Sequence, residues 1–192
     1  MAKKTLILVR HGQYHKASEV ELERLTDLGR KQAKLVGKRL KEVKIDRIEH
    51  STMPRAIETA LLIKKELGYA KLLNSCADLC ECVPDFPKEL RKKYHFNDVK
   101  KLKSDKAQAD RAFRKYFTRP HKNSTEVLVC HGNIIRYLIC KALGVDTINW
   151  AKFDIQQCGI SIVEIDTESD HKFKVLGHND IGHIPYPQRT YL

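Results

Sequence analysis

Two apolar runs, Lys4-Thr-Leu-Ile-Leu-Val9 and Glu126 to Cys130, each break into a His-Gly pair, and this repeated punctuation constrains the fold more than any other feature. Short apolar runs closed by charged and glycine residues suit strands buried on both faces of a parallel sheet, where crossover helices cover each side. The helices are legible between them. Thr26 can cap a helix in which Ala33, Val36, Gly37 and Leu40 recur at i, i+3, i+4 and i+7. Ile45 to His50 is strand-like, and Ala56, Ala60, Ile63 and Leu67 mark a second helix that Gly68 ends.

The stretch from Leu73 to about Asn123 is the least regular, since Pro84 and Pro87 break any early helix. Later in it, Ala109, Ala112, Phe113, Tyr116 and Phe117 share one helical face and are expected in the core rather than on a base-stacking surface. After the second apolar run, Ile135, Leu138, Ile139, Ala142 and Leu143 form another stripe. Strands near Ile160 to Ile165 and Phe173 to Leu176 close the chain. The expected architecture is one domain over residues 1–192, an α/β fold built as a three-layer α/β/α sandwich on a mostly parallel sheet.

Composition bounds the setting. The longest apolar runs fall far short of the roughly 20 residues that cross a bilayer, so no membrane-spanning segment is expected. Six cysteines are few for 192 residues, and Cys130 and Cys140 sit in apolar runs, which fits a reducing intracellular compartment. The formal charge is +12. Much of it comes from Lys88 to Lys122, whose bland reading is a solvated lysine-rich face; no RNA-binding motif accompanies it, and no nucleic-acid partner is expected.

Arg10-His11-Gly12 lies just past the first strand, where open α/β sheets place their ligand crevice. A guanidinium can fork onto phosphate oxygens, an imidazole nitrogen can attack phosphorus, and glycine lets the backbone approach an anion. In Ser51-Thr-Met-Pro-Arg55-Ala-Ile-Glu-Thr59 a strand runs into a helix whose first turn carries Arg55, a cation against the dipole that an anion would relieve. Val129-Cys-His131-Gly-Asn133 repeats the first strand end.

These strings resemble the histidine phosphatase (phosphoglycerate mutase-like) superfamily, whose hallmark is Arg10-His11-Gly12 with a later His131-Gly132. Leu25-Thr26-Asp-Leu-Gly29-Arg-Lys-Gln32-Ala33 resembles the family's first helix. Gln13-Tyr14-His15 and Cys130 to Tyr137 are most similar to a mitochondrial serine/threonine protein phosphatase within it. The resemblance implies His11 as nucleophile, Arg10, Arg55 and His131 as phosphate ligands, His131 also as a catalytic group, and Glu81 as acid for the leaving group. Asp78 and Asp85 remain alternatives for that acid, and Cys82 stands where the family's acid loop has glycine. Glycolytic mutases carry Glu-Ser-x-Trp-Asn where this chain has Gln13 to Ala17, so hydrolysis is expected rather than mutase chemistry.

The implied substrate is a phosphorylated protein, bearing phosphoserine, phosphothreonine or phosphohistidine. A small-metabolite phosphatase and a noncatalytic phosphopeptide-binding module are the alternatives. No cofactor or metal is expected, a homodimer is compatible with the resemblance, and the implied location is mitochondrial, otherwise cytoplasmic. Against its anchored relative, the sequence shows no amino-terminal membrane anchor or multimerisation segment and a shorter acid loop, which implies a processed form or a soluble relative. Two rivals use other side chains. Cys130 and Arg136 fit the C-x5-R spacing of cysteine-dependent phosphatases, although Ile134 and Ile135 read as helix rather than loop. His11, His131, Glu81, Cys80 and Cys82 match no usual zinc spacing.

Overall fold

Alternation along the central strands divides the molecule into two cores. In this computed structural model, which describes residues 2–19, 22–84, 86–93, 97–166 and 168–191, β1 (Lys4–Arg10) sends Leu6 and Leu8 to one face and Ile7 and Val9 to the other. β4 (Ser124–Cys130) does the same, with Leu128 and Cys130 on the first face and Val127 and Val129 on the second. That period of two on strands apolar throughout requires helices on both sides.

The second face is covered by α1 (Asp27–Arg39) and α2 (Pro54–Leu67), through Ala33, Val36, Ala56, Ala60 and Ile63. The first face is covered by α4 (Val99–Tyr116) and α5 (Gly132–Leu143), through Leu102, Ala109, Ala112, Ile135 and Leu138. The four-residue helix α3 (Lys88–Arg91) precedes α4. With β2 (Arg47–His50), β3 (Asn74–Ser75), β5 (Ile160–Ile165) and β6 (Phe173–Asp180), the six-stranded sheet runs β3-β2-β4-β1-β5-β6. The first four strands in that order are parallel; β5 runs antiparallel to both β1 and β6. The expected three-layer α/β/α sandwich is what the chain forms.

Local signals act as expected at the helix ends. The Thr26 hydroxyl accepts from the Gly29 amide at 3.0 Å, and Gly68 takes the left-handed conformation (φ 62°) that ends α2. Elsewhere the structure departs from the periodicity. Leu143 is 56% exposed, so the α5 stripe ends at Ala142. β6 continues to Asp180, and the two-residue edge strand β3 carries no apolar pattern to betray it. On the basic helix α4, Lys101 and Lys106 pair with Asp105 and Asp110 one turn on, while Lys115 reaches Glu49 and Arg111 reaches Asp78. Among the described residues, no helix is long and apolar enough to cross a membrane.

Candidate active site

Register brings the two histidines together. Arg10 of β1 lies opposite Cys130 of β4, so the residues that follow, His11 and His131, leave the sheet side by side, with ring centroids 5.0 Å apart. The His11 amide donates to the Cys130 carbonyl at 3.0 Å and fixes the exit. β2 flanks β4 on its other side and ends level with it, and Pro54 at the start of α2 pre-sets the turn that puts Arg55 beside the same spot. Three carboxyl ends of neighbouring strands therefore share one crevice.

The His11 ring has a defined proton. Its Nδ1 lies 2.8 Å from the Gly12 carbonyl oxygen, which only accepts, so Nδ1 carries the hydrogen and Nε2 the lone pair. Arg55 Nε–H donates to that Nε2 at 3.2 Å. Burial, then the charges of Arg10 and Arg55, hold His11 well below the ordinary imidazole range, so it is neutral at pH 7. His131 is also pushed well below that range, first by burial and then by His11, Arg55 and Arg10.

Two buried polar atoms here have no partner among the described residues: Arg10 Nε and His131 Nδ1. Another nitrogen of each group is held. Arg10 Nη1 donates to the carbonyls of Ile155 at 2.6 Å and Tyr191 at 2.8 Å. His131 Nε2 lies 2.8 Å from Ser51 Oγ, which also accepts from the Met53 amide. Ser51 Oγ has one hydrogen to give, shared between His131 Nε2 and Cys80 Sγ at 3.4 Å; when Nε2 takes it, the imidazole proton sits on Nδ1 and that nitrogen faces the pocket as a donor. Arg10 Nε–H is a donor in any case, and an orphaned buried donor costs about 1–3 kcal/mol, a deficit that an anion's oxygens would remove.

Glu81 and Arg10 line a neighbouring cleft of about 240 Å³ together with Asn133, Arg136, Asp154 and Tyr191. Enclosure raises the Glu81 carboxyl pKa above the usual value, against the opposing pull of the Cys82 amide, Arg10, the Asn133 amide and Arg55. Asp78 points elsewhere, into an ion pair with Arg111 on α4. Asp85 lies outside the described residues. The Cys130–Arg136 spacing forms no phosphate loop, because Gly132 to Leu143 is helix and Cys130 is fully buried against the α4–α5 layer. Arg136 instead bonds the Gly132 and Phe153 carbonyls. No group of three or more metal-ligating side chains gathers among the described residues.

With this geometry in place, a family model described as histidine phosphatase superfamily (branch 1) matches residues 6–84 and 75–180. The chain belongs to the histidine phosphatase superfamily. One relative, the mitochondrial serine/threonine-protein phosphatase Pgam5 of Caenorhabditis elegans, is 35% identical over 190 residues, covering 96% of this chain and 65% of that protein. The chain thus spans a little under two thirds of the length of such relatives. Among solved structures, a phosphoglycerate mutase from Plasmodium falciparum is 27% identical, with a TM-score of 0.65 over 97% of this chain and 96% of that one. A putative alpha-ribazole-5'-P phosphatase from Escherichia coli, 20% identical with a TM-score of 0.74 over 92% and 96%, shares the fold.

The superfamily's first-helix string now has a physical basis in this chain. A Cβ on Gly29 would stand 1.9 Å from the Gln13 carbonyl oxygen, and one on Gly12 would stand 2.6 Å from the Gly29 oxygen, so the α1 start and the loop after His11 are pressed together without side chains. Gln32 then accepts from the Gln13 amide at 2.9 Å and donates to the Gln188 carbonyl at 2.7 Å. Two residues at the site escaped the sequence reading. Ser51 orients His131, and Glu23 pairs with Arg55 Nη1. Their partners lie 80 and 32 positions away, and no local pattern marks either one.

Two neutral buried histidines make stability depend on acidity. Both folded pKa values lie below the unfolded value of about 6.5, so between the two the unfolded chain binds more protons and stability rises with pH. Acidification below pH 6.5 is therefore expected to cost up to about 1.4 kcal/mol per pH unit for each histidine. Glu81, with its raised pKa, opposes this in the lower part of the range. Denaturant unfolding between pH 7.5 and 5 checks it: the wild type should lose stability steeply and His131→Asn less so, whereas parallel curves would contradict the assignment.

Proposed function

We propose that this chain is a phosphatase that hydrolyses phosphate monoesters of phosphoproteins through a phosphohistidine on His11. The observation that carries the reading is the His11 ring, fixed as the Nδ1–H tautomer with Nε2 turned to Arg55, in a pocket where the Arg10 Nε–H lacks a partner. In the first step the phosphoryl oxygens take over the Arg55 Nε–H, which frees the Nε2 lone pair to attack phosphorus. The phosphorus–oxygen ester bond breaks, and Glu81 gives its proton to the leaving oxygen. Water then attacks the phosphohistidine and passes a proton to the Glu81 carboxylate, and the phosphorus–nitrogen bond breaks to return neutral His11. Arg10, Arg55 and His131 hold the three oxygens throughout, which suits a reaction governed by positioning and charge.

The names of its relatives support a serine/threonine phosphoprotein substrate and a mitochondrial location.

A leaving-group series tests the acid. For Glu81→Gln, kcat/KM toward a phosphoserine peptide should fall about 10²–10⁴-fold, and that toward an activated aryl phosphate far less, because only the alkoxide needs a proton. In the wild type, kcat/KM for the peptide should also decline as pH rises through the elevated Glu81 pKa, a limb the variant lacks. Equal losses on both substrates would take the role from Glu81.

A further inference from the structure

Among the described residues, Glu23 is the carboxylate that pairs with Arg55, and it is built into place. Tyr14 and Leu25 form an antiparallel bridge, the His15 amide donates to the Arg24 carbonyl at 2.9 Å, and Leu25 is fully buried with its amide on Glu58. Together these pin the segment carrying Glu23 beside the loop that follows His11. The Glu23 side chain is 13% exposed and that of Arg55 6%, so the pair is shielded from water.

The way Arg55 divides its nitrogens gives the pair a purpose. Glu23 holds Nη1 alone. Nε–H and one Nη2–H of a guanidinium point the same way and make the side fork that grips two oxygens of a phosphate. In Arg55 that fork rests on weak or exchangeable partners, His11 Nε2 at 3.2 Å and Met53 Sδ at 3.4 Å. The guanidinium carbon lies over the ring of Tyr14, 4.7 Å from its centroid. A guanidinium fixed at Nη1 and packed against Tyr14 presents the side fork where His11 Nε2 points.

We propose that Glu23 is a positioning residue for phosphoryl transfer: its carboxylate anchors Arg55 by Nη1 so that the Nε–Nη2 fork faces the phosphorus attacked by His11. The proposal rests on the phosphatase reading for its purpose. Because a carboxylate beside a phosphate dianion also repels it, Glu23 works on orientation and not on ground-state attraction. Its loss should therefore reach kcat and spare KM.

Glu23→Ala and Glu23→Gln, compared with the wild type, separate the effects. The alanine variant should lower kcat on an aryl phosphate about 10²-fold, the penalty for a misplaced catalytic group, with KM unchanged or reduced. The glutamine variant keeps an oxygen for Nη1 and should recover most of the rate. Calorimetric binding of vanadate, which takes the five-coordinate shape of the transition state, and of inorganic phosphate provides a readout without turnover. Vanadate should weaken in the alanine variant while phosphate does not. If the wild type binds both anions in this way yet releases no phosphate from any ester, the phosphatase reading fails and the positioning role stands. An alanine variant with normal kcat and vanadate affinity, or a glutamine variant as impaired as alanine, would overturn the proposal, and matching thermal unfolding of the variants excludes a folding defect.

Discussion

His11→Ala is expected to abolish turnover, with a loss of about 10⁵-fold or more as when other catalytic nucleophiles are deleted, whereas Cys130→Ser should keep most of the activity. The contrast follows from one strand end. β4 places Cys130 on the face packed against α4 and α5, where burial drives its thiol pKa far up and leaves no thiolate to attack anything. The next residue, His131, turns into the crevice. His11 has the opposite character: neutral, a single tautomer, and its lone pair aimed at an arginine that phosphate would engage. Steady-state assays on an aryl phosphate check both variants. A His11→Ala protein that still turns over would sink the mechanism.

Arg55→Ala should cost about 10³–10⁵-fold in kcat/KM, the scale of arginines that stabilise a phosphoryl transition state. Folding should suffer much less, since Arg55 sits in the first turn of α2 and leaves the face made by Ala56, Ala60 and Ile63 intact. The variant also leaves Glu23 without its partner in a shielded place, so a modest stability loss is expected beside the large kinetic one. Assay and denaturant unfolding on the same preparation distinguish the two. Near-normal turnover would remove Arg55 from the pocket.

How much the sequence disclosed depended on whether a residue's role is local. Arg10, His11 and His131 stand where apolar strands break at glycine, and Arg55 stands one residue past a helix-starting proline, so a strand-and-helix reading was enough to propose their meeting. Glu81 sits in an irregular loop, and only the resemblance to the superfamily singled it out from Asp78 and Asp85. Ser51 and Glu23 are legible only in three dimensions, because each acts through a side chain brought near by sheet pairing or by the Tyr14–Leu25 bridge. Period alone likewise says which face of α5 is apolar but not where cover ends, which is why Leu143 proved exposed.

Trapping the covalent intermediate tests the account most directly, and Glu81→Gln is the form to trap. An aryl leaving group departs without an acid, so His11 should still be phosphorylated, while hydrolysis of the phosphohistidine loses the base that activates water. Rapid quench with radiolabelled aryl phosphate should give a stoichiometric burst of labelled protein, stable in alkali, labile in acid, and mapping to the peptide that contains His11. Turnover with no label on the protein, or label found on Cys130, would contradict it.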